Sequence, residues 1–223
     1  MRRGPALRAA GVLDAHRPHG PRHIADNHLS VEVAGRGSVR RRIHPLGAGH
    51  GDGWGWAASR HLPVFTAGPP MVPGLRVESV TVVRGRHELR VHRVTGAPAG
   101  ARVSLTGWAT GPGEPLASVL HPLYGFDGEA EAVPAPAGTA YARWARVPRL
   151  TGAAGGTSVH VALAVLTAED APVPAAEAVS GASVDGASVE VRWAEDGART
   201  RVVFGPCAVE HTAGDAADGA AAR

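Results

Sequence analysis

Alternation of apolar and polar residues dominates this chain, in short runs closed off by Gly and Pro. Residues 29–34 (LSVEVA) alternate, and 39–44 (VRRRIH) follow across Gly35-Arg36-Gly37-Ser38, which is a hairpin signal. The densest β pattern lies between positions 74 and 108. It predicts strands at 77–83, 87–94 and 102–108, with a turn at Arg84-Gly85-Arg86 and a loop at 96–100. Between the first hairpin and this stretch, 47–56 (GAGHGDGWGW) reads as a Gly-rich loop with two Trp, and 57–65 as a strand interrupted at Pro63.

Further along, 116–124 predicts a strand with Pro122 at an edge or bulge. Residues 140–147 fit a strand or a short helical turn. The strongest strand signal is 157–167 (TSVHVALAVLT), which is apolar on both faces and therefore expected at the centre of a sheet. Residues 168–182 look like a linker. Then 188–193 and 199–204 form a hairpin around Glu195-Asp196-Gly197, with Val189, Val191 and Trp193 facing in and Glu190 and Arg192 facing out.

Helix signals are nearly absent. Short strands separated by turn residues predict an all-β fold, an antiparallel β-sandwich whose sheets are large and curved. The expected organisation is an irregular basic arm at 1–27, the sandwich domain at 28–210 and a disordered, low-complexity tail at 211–223.

The basic residues are 23 Arg and no Lys, beside abundant Ala, Gly and Pro, which is the mark of GC-rich coding rather than of function. Charge is uneven. Residues 1–42 carry nine Arg against Asp14, Asp26 and Glu32, a balance of +6, and the remainder sums to −3. The arm is either a solvated segment or an anion-binding one. No aromatic residue precedes Trp54, which disfavours nucleic acid as a partner because base-stacking rings are missing from the arm. The single Cys207 excludes an internal disulfide and a multi-Cys metal site. Neither a signal peptide nor a membrane-spanning run of about 18 apolar residues is read. The cytoplasm is the default expectation, although the compartment is not fixed.

Three segments together resemble the C-terminal part of an uncharacterised bacterial family, domain of unknown function 2264. They are RRRIHPLGAGHGDGWGWAASRHLPV (40–64), VESVTVVRGRHELRVHRVTGAPAGARVSLTGWAT (77–110) and LYGFDGEAEAVPAPAGTAYARWARVPRL (123–150). Larger members of that family look like heparinase-type proteins, with a helical toroid ahead of a β-sandwich. The resemblance implies that this chain is the sandwich alone, without the toroid in which the catalytic residues of such lyases mostly sit. It implies a non-catalytic accessory role, packing on a helical toroid partner and contributing to the binding of acidic or neutral polysaccharide. Two alternatives remain, an autonomous polysaccharide-degrading enzyme and an anion-binding module acting through the arm.

Seven of the twelve His fall in the first 61 residues, yet none of their spacings matches a metal-binding helix motif, so neither a metal nor another cofactor is expected. The densest aromatic-plus-polar cluster is Trp54, Trp56, Arg60 and His61. Indole faces suit pyranose rings, and Arg60 suits a uronate carboxylate. The plainer alternative is that the two Trp close one end of the sandwich. A second candidate is the row Glu88, Arg90 and His92, opposite the apolar Leu89 and Val91. It reads as a solvated sheet face or as the face on which a helical domain docks. No Ser-His-Asp arrangement or G-x-S-x-G motif is present, and no residue is assigned as catalytic.

Overall fold

A computed structural model describes residues 29–65, 68–107, 116–134, 146–168, 178–205 and 207–214. The expected arm and most of the expected tail lie outside these. Among the described residues all regular structure is strand, and every pairing is antiparallel. The chain divides into two compact units, Met1–Val173 and Pro174–Arg223.

The first unit holds β1 (Leu29–Val33), β2 (Arg36–Gly51), β3 (Trp54–Phe65), β4 (Arg76–Arg84), β5 (His87–Thr106), β6 (Leu116–Tyr124), β7 (Glu131–Pro134) and β8 (Arg146–Ala168). Pairing runs β1-β2-β3-β4-β5 and returns from β5 to β1, so five strands close a barrel-like circuit. β8 pairs with the free edge of β5, and β6 and β7 pair with β8. The expectation of an all-β antiparallel fold holds. The expected sandwich of open sheets gives way in this unit to a closed sheet with extra strands.

Closure depends on β5, whose segment 96–100 is a kink inside one long strand rather than a loop between two. His87–Thr95 pairs with β4, and Arg102–Leu105 pairs with β1. Register slips on β8 at Thr95/Ala97 and Ala97/Ala101 mark bulges at the bend. Gly96 has φ +72°, and a Cβ there would run into the Gly74 carbonyl, so only glycine fits. The bulges also switch parity. Val94 is an even-numbered core residue, whereas Ala101, Val103 and Leu105 are odd-numbered ones. Without that switch the second half of β5 would turn its apolar residues away from the core.

The core of this unit joins Leu29, Val31, Phe65, Val77, Val94, Val103, Leu105, Leu120 and Leu150, with small Ala162 and Ala164 on β8. β8 is buried on both faces from Val159 to Val165, as its uninterrupted apolar pattern predicts for a central strand. Pro122 sits at a register slip of the edge strand β6, where its missing N–H costs no ladder bond.

The second unit is a four-stranded sheet of β9 (Val179–Val184), β10 (Ser188–Trp193), β11 (Arg199–Val203) and β12 (Ala208–Thr212), in the order β12-β11-β10-β9. Val189, Val191, Thr200 and Val202 are fully buried, with Trp193 2% exposed, on one face. Glu190, Arg192, Arg199 and Arg201 lie on the other. β9 falls mostly where a linker was expected, and β12 runs two residues into the expected tail. Their Ala, Gly and Ser content hides a strand pattern that becomes definite only through pairing with β10 and β11.

Candidate functional site

The Gly-rich stretch expected as a loop is instead the tip of a long β2–β3 hairpin, turning at Asp52-Gly53. Gly49 pairs with Trp56 and Gly51 with Trp54 across the hairpin. A Cβ on Gly49 would lie 2.5 Å from Trp56 Nε1, and one on Gly51 would collide with Trp54 Nε1. The alternating glycines are thus a floor that the two indoles cover. Both indoles are half-buried. A ring laid over a bare backbone covers strand hydrogen bonds that a glycine would otherwise leave open to water.

Strand parity divides the rest of the expected cluster. Trp54, Trp56 and Arg60 share a face of β3, but Ala58 between Trp56 and Arg60 is 1% exposed. His61 lies on the opposite face and is 2% exposed, next to the core residues of the closed sheet. It does not belong with the indoles.

Arg60 is already engaged. Its Nε and Nη2 donate to Glu78 Oε1 at 3.0 and 2.6 Å. Arg93 donates through Nε to Glu78 Oε2 at 2.8 Å, and its Nη2 donates to the same oxygen. The registers Arg60↔Glu78 and Glu78↔Arg93 place the three side chains in one row across β3, β4 and β5. Burial by itself would push the Glu78 carboxyl up. The hydrogen bonds and charges of Arg60 and Arg93 outweigh it and hold the group below its ordinary value. Two guanidinium forks thus share one carboxylate, and the row keeps one net positive charge.

The row Glu88, Arg90 and His92 is neither solvated nor a docking face. These residues are 0%, 1% and 4% exposed. β5 is flanked by β4 and β8, and this row lies on the face it shares with Val77 and Val94 of the core. Alternation of charged with apolar residues normally signals an outer face, but here the second face is enclosed as well. The two charges of the row pair with each other. Arg90 Nη2 donates to Glu88 Oε2 at 2.9 Å and Nη1 to the Thr106 carbonyl at 3.2 Å. Burial lowers the Arg90 pKa, against the opposing charge of Glu88. His92 Nδ1 lies 2.9 Å from Ser79 Oγ on the facing strand.

The sequence places His160 on the second, largely apolar face of β8 and assigns it no role. Its Nδ1 lies 2.8 Å from the Gly125 carbonyl and its Nε2 lies 3.0 Å from Ser158 Oγ. A carbonyl only accepts, so Nδ1 carries the proton and Nε2 accepts from the serine. The ring also packs against Phe126 at 5.3 Å between centroids. Burial pushes His160 below its ordinary pKa, opposed by the Gly125 hydrogen bond and the charge of Asp127. The group locks the turn after β6 onto β8 as a neutral imidazole.

In the second unit, a groove of about 480 Å³ runs over the outward sheet face, lined by Glu190, Arg192, Arg199, Arg201, Glu210 and Thr212 among others. The hairpin pattern anticipated the outward direction of Glu190 and Arg192 but not their convergence with β11 and β12. Among the described residues, no group of three or more His, Cys, Asp or Glu is placed to hold a metal ion. No helix among them is long and apolar enough to cross a membrane.

No protein-family model matches the chain, and no match was found among curated proteins. Among solved structures, the fold is similar to that in the crystal structure of a mutant of the heparan sulfate lyase HepC from Pedobacter heparinus. The TM-score is 0.51 at 9% sequence identity. The likeness covers 96% of this chain and 33% of that one, so the chain spans about a third of the lyase's length. At such identity the likeness concerns the fold alone.

Proposed function

We propose that this chain is the β-structured accessory part of a carbohydrate-active protein and acts by holding an acidic polysaccharide rather than by cleaving it. One observation carries the proposal: a fold likeness running over nearly the whole chain to one third of a heparan sulfate lyase. The resemblance of residues 40–64, 77–110 and 123–150 to domain of unknown function 2264 points the same way, toward a β-domain that works beside a helical toroid. Bonding within the fold is consistent with a binding role. The Arg60 fork is spent on Glu78, His92 faces Ser79, and His160 is held neutral between a carbonyl and a hydroxyl. These contacts orient side chains for structure.

The test is affinity electrophoresis of the purified chain through gels containing heparin, heparan sulfate or an uncharged glucan. Ultraviolet absorbance is followed in parallel for unsaturated products. Retardation by the acidic polymers without product formation is the expected result. Steady product formation that is lost on changing His92 would defeat the accessory reading. An absence of retardation in any gel would defeat the glycan reading.

A further inference from the structure

The second unit carries an unusual pair. Register places Arg192 on β10 directly opposite Arg199 on β11, with Gly181 and Thr212 on the flanking strands of the same row. The row therefore contains two cations and no carboxylate. The neighbouring row is different: Glu190, Arg201 and Glu210 alternate in sign, with Arg201 Nη1 3.8 Å from Glu210 Oε2. Arg199 Nη1 reaches Glu190 Oε1 only at 4.0 Å, with more than half of the Arg199 side chain exposed. Arg192 is exposed and has no ion-pair partner among the described residues. Like charges directly across a ladder oppose pairing, since their Cβ atoms sit about 5 Å apart. An anion between them removes the repulsion and takes hydrogen bonds from two planar forks.

We propose that the Arg192–Arg199 pair, at the floor of the 480 Å³ groove, is a subsite for a sulfate group of an acidic polysaccharide. The Thr212 hydroxyl, in the same row, is a candidate for the adjoining sugar hydroxyl. The choice of polymer rests on the glycan-binding reading above, whereas the anion subsite rests on the arginine geometry alone.

Side-chain Nε–H resonances of the full chain are followed during titration with inorganic sulfate and, separately, with a heparin oligosaccharide. Affinity for the oligosaccharide is then measured for Arg192→Gln, Arg199→Gln and Arg102→Gln. The last is a control of similar exposure paired with Asp127 in the first unit. Sulfate is expected to move the Arg192 and Arg199 signals, and each groove variant to weaken oligosaccharide binding about tenfold. The control stays at the wild-type affinity. Both groove variants should keep their β10 and β11 amide signals to a urea concentration no lower than wild type, because each removes a like-charge neighbour, so lost binding is separable from lost folding. Signals that stay still with both anions overturn the subsite, and heparin retardation in that case leaves the glycan reading standing. Signals that move with sulfate in a chain that ignores heparin keep the subsite and overturn the glycan reading. Equal weakening by Arg102→Gln, or tighter binding of a single-stranded polynucleotide of matched charge, overturns the assignment of this groove to a glycan.

Discussion

Removing the Glu78 charge separates the two guanidinium forks that it joins. In Glu78→Gln the side chain keeps its shape, but Arg60 and Arg93 then face each other across a neutral amide. The Glu78 side chain is 3% exposed, Arg93 19% and Arg60 41%. Hydrogen bonds to charged groups contribute about 1.5–3 kcal/mol when shielded from water. Arg93 belongs to that class. Arg60 is screened by solvent, and its share falls to about 0.2–1 kcal/mol. The sum predicts a loss of about 2–4 kcal/mol for Glu78→Gln, about 1.5–3 for Arg93→Gln and under about 1 for Arg60→Gln. Two compact units make a single global transition an unsafe readout. The assay is therefore a urea titration that follows individual amide resonances of β3, β4 and β5. The wild-type advantage over Glu78→Gln also depends on pH. The folded carboxyl titrates below its free value of 4.5, so its contribution is complete above that value and disappears as the pH falls through the lower folded one. An Arg60→Gln cost equal to that of Arg93→Gln, or a Glu78→Gln cost below about 0.5 kcal/mol, would refute the burial-weighted reasoning.

Gly51→Val puts a branched side chain where the Trp54 indole lies. The Trp54 Nε1–H resonance should shift and exchange faster, at a cost of about 1–3 kcal/mol read from the same urea titration. His160→Gln tests the neutral imidazole. Because burial depresses the folded pKa, the stability owed to neutrality is full above the free value of 6.5. It is lost as the pH drops from there through the folded value, and the variant should show a flatter profile in that window. His121, also depressed by burial, leaves a residual slope in the same direction. In the second unit, Trp193 Nε1 donates to Thr200 Oγ1 at 2.8 Å, and that oxygen lies 2.9 Å from His211 Nδ1. Thr200→Val strands a buried indole N–H and should cost about 1–3 kcal/mol, seen as earlier urea loss of the β10 and β11 amide signals.

Local pattern carried much of this fold. β-Branched runs and turn residues located most strands, and a two-sided apolar run marked β8 as central. Alternation in 188–193 assigned the inward Val189, Val191 and Trp193 correctly because that hairpin has one buried face and one open face. The same rule failed for Glu88, Arg90 and His92. Alternation shows that two faces differ, but not that the polar one meets water. Only closure of the sheet, which turns that face toward the core residues Val77 and Val94, buries it.

The stretch 47–56 failed for a related reason. Glycine reads as loop because it has no side chain to pack, yet here the side chains that cover it come from the opposite strand, at Trp54 and Trp56. Strand identity and in–out parity are properties of neighbours in sequence, and short windows contain them. Closure of the sheet, the Glu78 row and the facing pair Arg192 and Arg199 depend on register between segments that the chain brings together. A shift of one residue would send each of these side chains to the opposite face, and no single segment specifies which shift is realised.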